Sequence, residues 1–246
     1  MSPAVVAALS LLIFAAALLY AAVGQAGASG YLAVMALFGV APQVMKPTAL
    51  VLNVLVAAVA SNRFYRARCF SWEVFWPFAL TSIPCAFLGG ILSLPMHLYK
   101  PIVGLVLMYA AYRFFRTPEV DEAAAVRPLP LGWALVAGAA IGLISGLTGV
   151  GGGIFLTPLL LFTHWADMRH AAGVSAVFIL VNSAAGLLGH LSSMADLPDT
   201  IPLWGAAALA GGYLGATYGS QRLSSPVLRR ILAVVLVIAG LRMMLT

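Results

Sequence analysis

Apolar residues run along this chain in ten stretches, separated by short polar or glycine-rich interruptions. The stretches lack the apolar–polar alternation of half-buried strands, and several approach the roughly 20 residues that carry a helix across a bilayer. In the first half they predict helices over 3–23, 31–40, 48–62, 72–94 and 101–115; in the second, over 130–147, 154–162, 171–191, 201–223 and 227–245. The order of parts is the same twice: a long helix, a glycine break, a short helix, then three longer helices. Residues 3–23 have the length of a secretory signal, but they lack a basic leader and have a full counterpart at 130–147, so they read as a membrane helix.

The repetition extends to residues. Positions 24–63 lie over 151–190 with an offset of 127, Thr48 falls on Ser175, and Asn53 and Asn182 lie two positions out of step. Phe87-Leu88-Gly89 matches Tyr213-Leu214-Gly215. The expected organisation is a first transmembrane repeat (1–115), a charged linker (116–129) and a second transmembrane repeat (130–246). Lysine and arginine mark the cytoplasmic side of a membrane protein. The loop after the third helix carries Arg63, Arg66 and Arg68, whereas its equivalent in the second half carries Asp196 and Asp199. Equivalent loops on opposite sides require inverted repeats of about five segments each, with the short helix and its break counted as one crossing. The alternative is eight full spans plus two re-entrant segments, which would put both loops on one side.

Composition sharpens the class. The 246 residues are 63% hydrophobic and 8% charged, with mean hydropathy +1.03, against about 25% charged residues in a soluble domain. This is an all-α polytopic membrane protein embedded in a lipid bilayer. Its net charge of +6 is scattered between apolar runs, which suits topology and gives no nucleic-acid surface. Cys69 and Cys85 are too few for a disulfide framework.

Chemistry concentrates at the breaks, Gly149-Val150-Gly151-Gly152-Gly153 and Gly24-Gln25-Ala26-Gly27-Ala28-Ser29-Gly30. Unwound backbone at membrane depth is tolerated only where protein buries it or it lines a watery cavity. The N–H groups that open the following short helix form a ready anion site. Interrupted helices at matching positions of two repeats are the pattern of secondary transporters. Two breaks facing one another would hold a small anionic substrate. Candidate binding residues are Gln25, Gly27, Ser29, Gly30, Thr48 and Asn53 in the first half, with Thr148, Gly149, Gly151, Gly152, Gly153, Thr157, Ser175 and Asn182 in the second. Arg63 and its repeat mate His190 are candidates for the two mouths. All seven acids lie at helix ends or in loops, so no mid-membrane carboxylate offers a proton relay or cation site. The polar cluster His164, Asp167, Arg169, His170 reads as an ordinary loop. No zinc spacing, catalytic triad or P-loop lysine is present, so neither an enzyme, a metal site nor a cofactor is expected.

The stretch from Gly149 to Gly153, with Thr157-Pro158 and Gly173-Val174-Ser175 after it, resembles the sulfite exporter TauE/SafE family, and the likeness covers essentially the whole chain. The first-half copy is degenerate: Ala26, Ala28 and Ser29 stand where more glycine is expected, and no proline follows. The resemblance implies a bacterial inner-membrane permease for sulfite or a small organosulfonate. The expected function is a secondary transporter or exporter working by alternating access, the anion held by the breaks and neutral donors. The alternatives are an anion channel, or a membrane-embedded enzyme or assembly factor.

Overall fold

The structure, a computed structural model, describes residues 2–92, 94–115, 127–190, 197–219 and 226–245. Its helices are α1 (Pro3–Ala21), α2 (Ala28–Leu37), α3 (Pro42–Arg66), α4 (Trp72–Ile91), α5 (Met96–Phe115), α6 (Leu131–Thr148), α7 (Gly153–Phe162), α8 (Met168–Gly189), α9 (Ile201–Gly219) and α10 (Pro226–Leu245). The described residues contain no strand. Of these helices α1, α3, α4, α6 and α8 are each long and apolar enough to cross a bilayer alone. Large apolar side chains also cover the outside, with Leu11 and Trp133 about two-thirds exposed. A helix apolar all round belongs in lipid.

Local chemistry sets the helix ends. Ser2 caps α1, its Oγ accepting the Val5 N–H at 3.4 Å, and Pro3 follows with its φ already helical. The third helix starts at Pro42, six residues ahead of the expected 48, and runs straight through Pro47. Pro47 is the sixth residue of the helix, so it forgoes one ladder bond, to the Gln43 carbonyl, without ending the helix. The expected linker falls, over 116–126, outside the described residues, as does Asp196.

Close approaches at glycine give the direction of each helix. Gly138, Gly142 and Gly146 of α6 lie against the backbones of Phe78, Ser82 and Ala86 of α4, so these helices run parallel. Gly211, Gly215 and Gly219 of α9 lie the same way against Phe14, Leu18 and Ala22, so α9 and α1 are parallel too. Gly186 of α8 meets Gly146 and Leu50 while Gly173 meets Cys69, which makes α8 parallel to α4 and antiparallel to α3. Gly104 meets Met244 and Gly240 meets Met108, so α5 and α10 are antiparallel. Gly205 and Gly212 of α9 meet Leu55 and Val56, and Tyr213 lies under Arg63, so α9 is parallel to α3; α1, α3 and α9 therefore point one way and α4, α6 and α8 the other. Every helix is antiparallel to its repeat mate where both directions are fixed: α1 to α6, α3 to α8, α4 to α9, α5 to α10. The repeats are inverted. Because α1 and α3 run parallel, the break and α2 between them return the chain from one end of the molecule to the other. Ten residues of helix rise only about 15 Å, half the hydrocarbon thickness, so the break and loops supply the rest.

The repeats interlock. One apolar core joins α4, α6, α7 and α8 around Phe78, Leu160 and Phe178. A second joins α1, α2, α3, α5, α9 and α10 around Tyr31, Leu52 and Trp204, and takes in Ile154 of α7 and Ala172, Ala176 and Ile179 of α8. Each core is built from both repeats, and α3 meets α8 at the seam between them.

Candidate functional site

The second break opens onto that seam. Gly149, Gly151 and Gly152 all take left-handed φ, between 82° and 83°, a conformation glycine adopts at no steric cost. Side chains from both cores crowd the bare α-carbons. A Cβ at Gly151 would lie 2.6 Å from Asn53 Nδ2 and 2.9 Å from Ser183 Oγ. Asn53, on α3, donates through Nδ2 to the Val150 carbonyl at 3.2 Å and to Ser183 Oγ at 3.3 Å. Within the next turn Thr157 donates to Ser175 Oγ at 2.8 Å. The first N–H groups of α7 have no intrahelical partner, and Gly152 caps the helix without a side-chain bond.

Beside the break Asn53 Oδ1 and Ser145 Oγ are buried without a partner, as are Thr48 Oγ1, Ser82 Oγ and Asn182 Oδ1 on α3, α4 and α8. An unpaired buried polar group costs on the order of 1–3 kcal/mol. Ser82, Ser145 and Ser183 were not among the sequence candidates. Ser145 lies on the glycine face Gly142–Gly146 one turn before the break, which is the signal that could have found it. Asn182 donates to the Phe178 carbonyl at 2.8 Å, and Thr148 turns back to Ile144 at 2.7 Å, as membrane threonines commonly do.

The first break is sealed by tyrosines. Ser29 donates to the Tyr20 hydroxyl at 2.6 Å, and Tyr31 donates to the Ala26 carbonyl at 2.5 Å. Gly27 has φ of 104° and a Cβ there would strike the Tyr31 ring; one at Gly30 would meet Ala16 and Tyr20. Gln25 is half-buried, its backbone N–H bonded to the Tyr20 carbonyl. Nor do the breaks face one another. Gly24 packs on Ala172 in the first turn of α8, whereas Gly151 packs on Ile179 and Ser183, which is roughly 10–16 Å further along that helix. The expected single two-break cradle is therefore replaced by two breaks at different depths, with the polar gathering at the second.

One residue was missed altogether. Lys46, near the start of α3, is only 6% exposed. Its Nζ donates to the carbonyls of Gly89 (3.2 Å), Gly90 (3.3 Å) and Leu92 (3.4 Å) at the end of α4. A Cβ at Gly149 would lie 3.4 Å from its Cγ, so the aliphatic stem of Lys46 lies against the second break while its ammonium sits on the carbonyls at the end of α4.

The mouth candidates lie at opposite ends. Arg63 rests over the Tyr213 ring at 4.3 Å, a cation–π contact from α3 to α9. His190 ends α8, with Nδ1 3.2 Å from the Gly90 carbonyl. The loop cluster is structural: Asp167 caps α8 by accepting the His170 N–H at 2.9 Å and pairs with its ring at 2.7 Å. Burial works to raise the Asp167 pKa, but these bonds outweigh it and hold the carboxyl below the usual carboxylate range. Among the described residues no three His, Cys, Asp or Glu side chains converge as metal ligands. An open cleft of about 560 Å³ at the surface is lined by Arg127, Pro128, Pro130, Phe162, Thr163 and Trp165, away from the break.

Inverted, interlocked repeats of apolar helices with an unwound polar break at their seam define a polytopic membrane transporter. The family model for the sulfite exporter TauE/SafE matches residues 9–243, and the chain belongs to that family. It is 44% identical over 239 residues to a protein of Sinorhizobium fredii (strain NBRC 101917 / NGR234) described as "Probable membrane transporter protein y4hK", a match covering 96% of this chain and 97% of the relative. No solved structure matches the chain.

Proposed function

We propose that the protein is a secondary transporter that carries sulfite or a similarly small sulfur-containing anion across the bacterial inner membrane by alternating access. The observation that carries this is the second break: three left-handed glycines at the seam of two cores, among buried hydroxyls and amides, several of them unpartnered. Neutral donors and backbone N–H groups stabilise an anion through charge-assisted hydrogen bonds. Ser175, Thr157 and Asn182 are the side chains proposed for this, with Gly149, Gly151, Gly152 and Gly153 presenting the backbone and Thr48 and Asn53 facing them across the seam. The family's description as a sulfite exporter supports the substrate class. The arginine-bearing end, with Arg66, Arg68, Arg127 and Arg169, is taken as cytoplasmic. An anion leaving a cell that is negative inside gains about 2.3 kcal/mol per charge per 100 mV, enough to drive export without a coupling ion.

The test is purified protein in liposomes loaded with radiolabelled sulfite, thiosulfate, sulfate or taurine, with an imposed membrane potential. Saturable efflux of sulfite that quickens as the interior is made negative is the expected result. Absence of flux for every anion would overturn the proposal.

A further inference from the structure

We propose that Lys46 is the counter-charge of the transported anion: the α4 carbonyls hold its ammonium when the site is empty, and the anion takes it over when bound. The proposal rests on the transport function argued above and adds a charged contact to a site otherwise made of neutral donors.

Burial is the first ground. An ionisable side chain within a membrane helix is expensive, and those that persist mark substrate or ion paths. Lys46 is almost wholly enclosed, and among the described residues no carboxylate pairs with it. Its partners are three main-chain carbonyls. The end of a helix amounts to about half a negative charge, so the α4 terminus offsets the ammonium only in part.

The quality of those bonds is the second ground. Charge-assisted N–H···O bonds run at about 2.7–2.9 Å, whereas all three here measure 3.2–3.4 Å. The ammonium is shared among distant acceptors and committed to none. An oxyanion with a full charge competes well against such partners.

Position is the third. Lys46 belongs to α3 in one core and reaches α4 in the other, against Gly149, whose missing side chain makes its room. The repeat-equivalent position is Gly173, packed on the Cys69 carbonyl. The lysine therefore has no counterpart at the equivalent position of the second repeat. The lone-cap alternative, in which Lys46 merely finishes α4, predicts a purely structural role.

Purified full-length wild type, Lys46→Arg and Lys46→Gln are compared for sulfite binding by titration calorimetry and for ligand-free melting temperature. The expected result is that K46R keeps a Kd within about threefold of wild type, while K46Q weakens it at least tenfold with the melting temperature little changed. K46Q binding sulfite as wild type does overturns the role of Lys46 and leaves the transport function standing, whatever its melting temperature. Wild type that binds none of sulfite, thiosulfate, sulfate and taurine defeats both. Should K46Q fail to accumulate, wild type is treated with acetic anhydride with and without saturating sulfite, and Lys46 acetylation is read by mass spectrometry. Protection by sulfite supports the proposal; unchanged acetylation overturns it.

Discussion

Ser175 and Thr157 share one hydrogen bond in the turn after the second break, so removing one hydroxyl strands the other. Ser175→Ala is expected to weaken sulfite binding by roughly 1–3 kcal/mol, the range for an unsatisfied or charge-partnered hydrogen bond, measured by titration of purified protein. Gly152→Val places a branched side chain where φ is 82° and where a Cβ already comes within 2.9 Å of Ile141 and Phe178. It is expected to abolish liposome flux while the protein still reaches the membrane, as judged by immunoblot of membrane fractions; normal flux would reduce the break to a packing device. These residues were legible because glycine runs and hydroxyls stand out in an apolar sequence. Lys46 was not. Pro47 suggests a helix boundary, which puts a lysine at 46 in solvent; the helix instead begins at Pro42 and carries Lys46 into the protein. Ser82 and Ser145 were missed because an isolated helical serine normally bonds back to its own turn, and only packing shows that these do not.

The α4–α6 and α1–α9 pairs are held by three glycines at four-residue spacing on one partner, each against the backbone of the other. Without a hydrophobic drive between helices in lipid, such close approach is the main source of association. Gly142→Leu is expected to lower the melting temperature of the detergent-purified protein, the overpacking costing about 1–3 kcal/mol. Gly132→Leu on the same helix, where nothing lies within 4 Å of the added carbon, should leave it unchanged. The ten helices of the described residues were legible, since apolar runs and glycine breaks record them directly. Their ends drifted by up to six residues, because hydropathy marks where lipid starts and capping marks where the helix starts. The pairing was not legible: the glycines were visible, but the carbonyls they meet lie more than fifty residues away, and hydropathy carries no trace of them.

Across the whole molecule, the C-terminal ends of α3 and α8 lie at opposite ends, as the arginine and aspartate bias anticipated. With Cys69 and Cys85 replaced by serine, Arg66→Cys and Asp199→Cys in intact cells should be labelled from opposite sides by a membrane-impermeant maleimide; labelling of both from one side would refute the inverted arrangement. Arg63→Ala is expected to slow initial sulfite flux with little change in affinity, and the defect should shrink at high salt, where a charge at the mouth is screened.

The interlocking has a consequence for how the protein is made. The partner strip for α1 begins at Ile201, 180 residues after α1 ends at Ala21, and synthesis at about 5–20 residues per second takes roughly 10–40 s to reach it. Until then the first repeat sits in the bilayer with its docking carbonyls turned to lipid or to provisional neighbours. Each core draws on both repeats, so neither repeat can complete one alone. Assembly is deferred to the end of translation, so a ribosome stalled after the first repeat leaves an orphan that quality control can recognise by its unfilled seams.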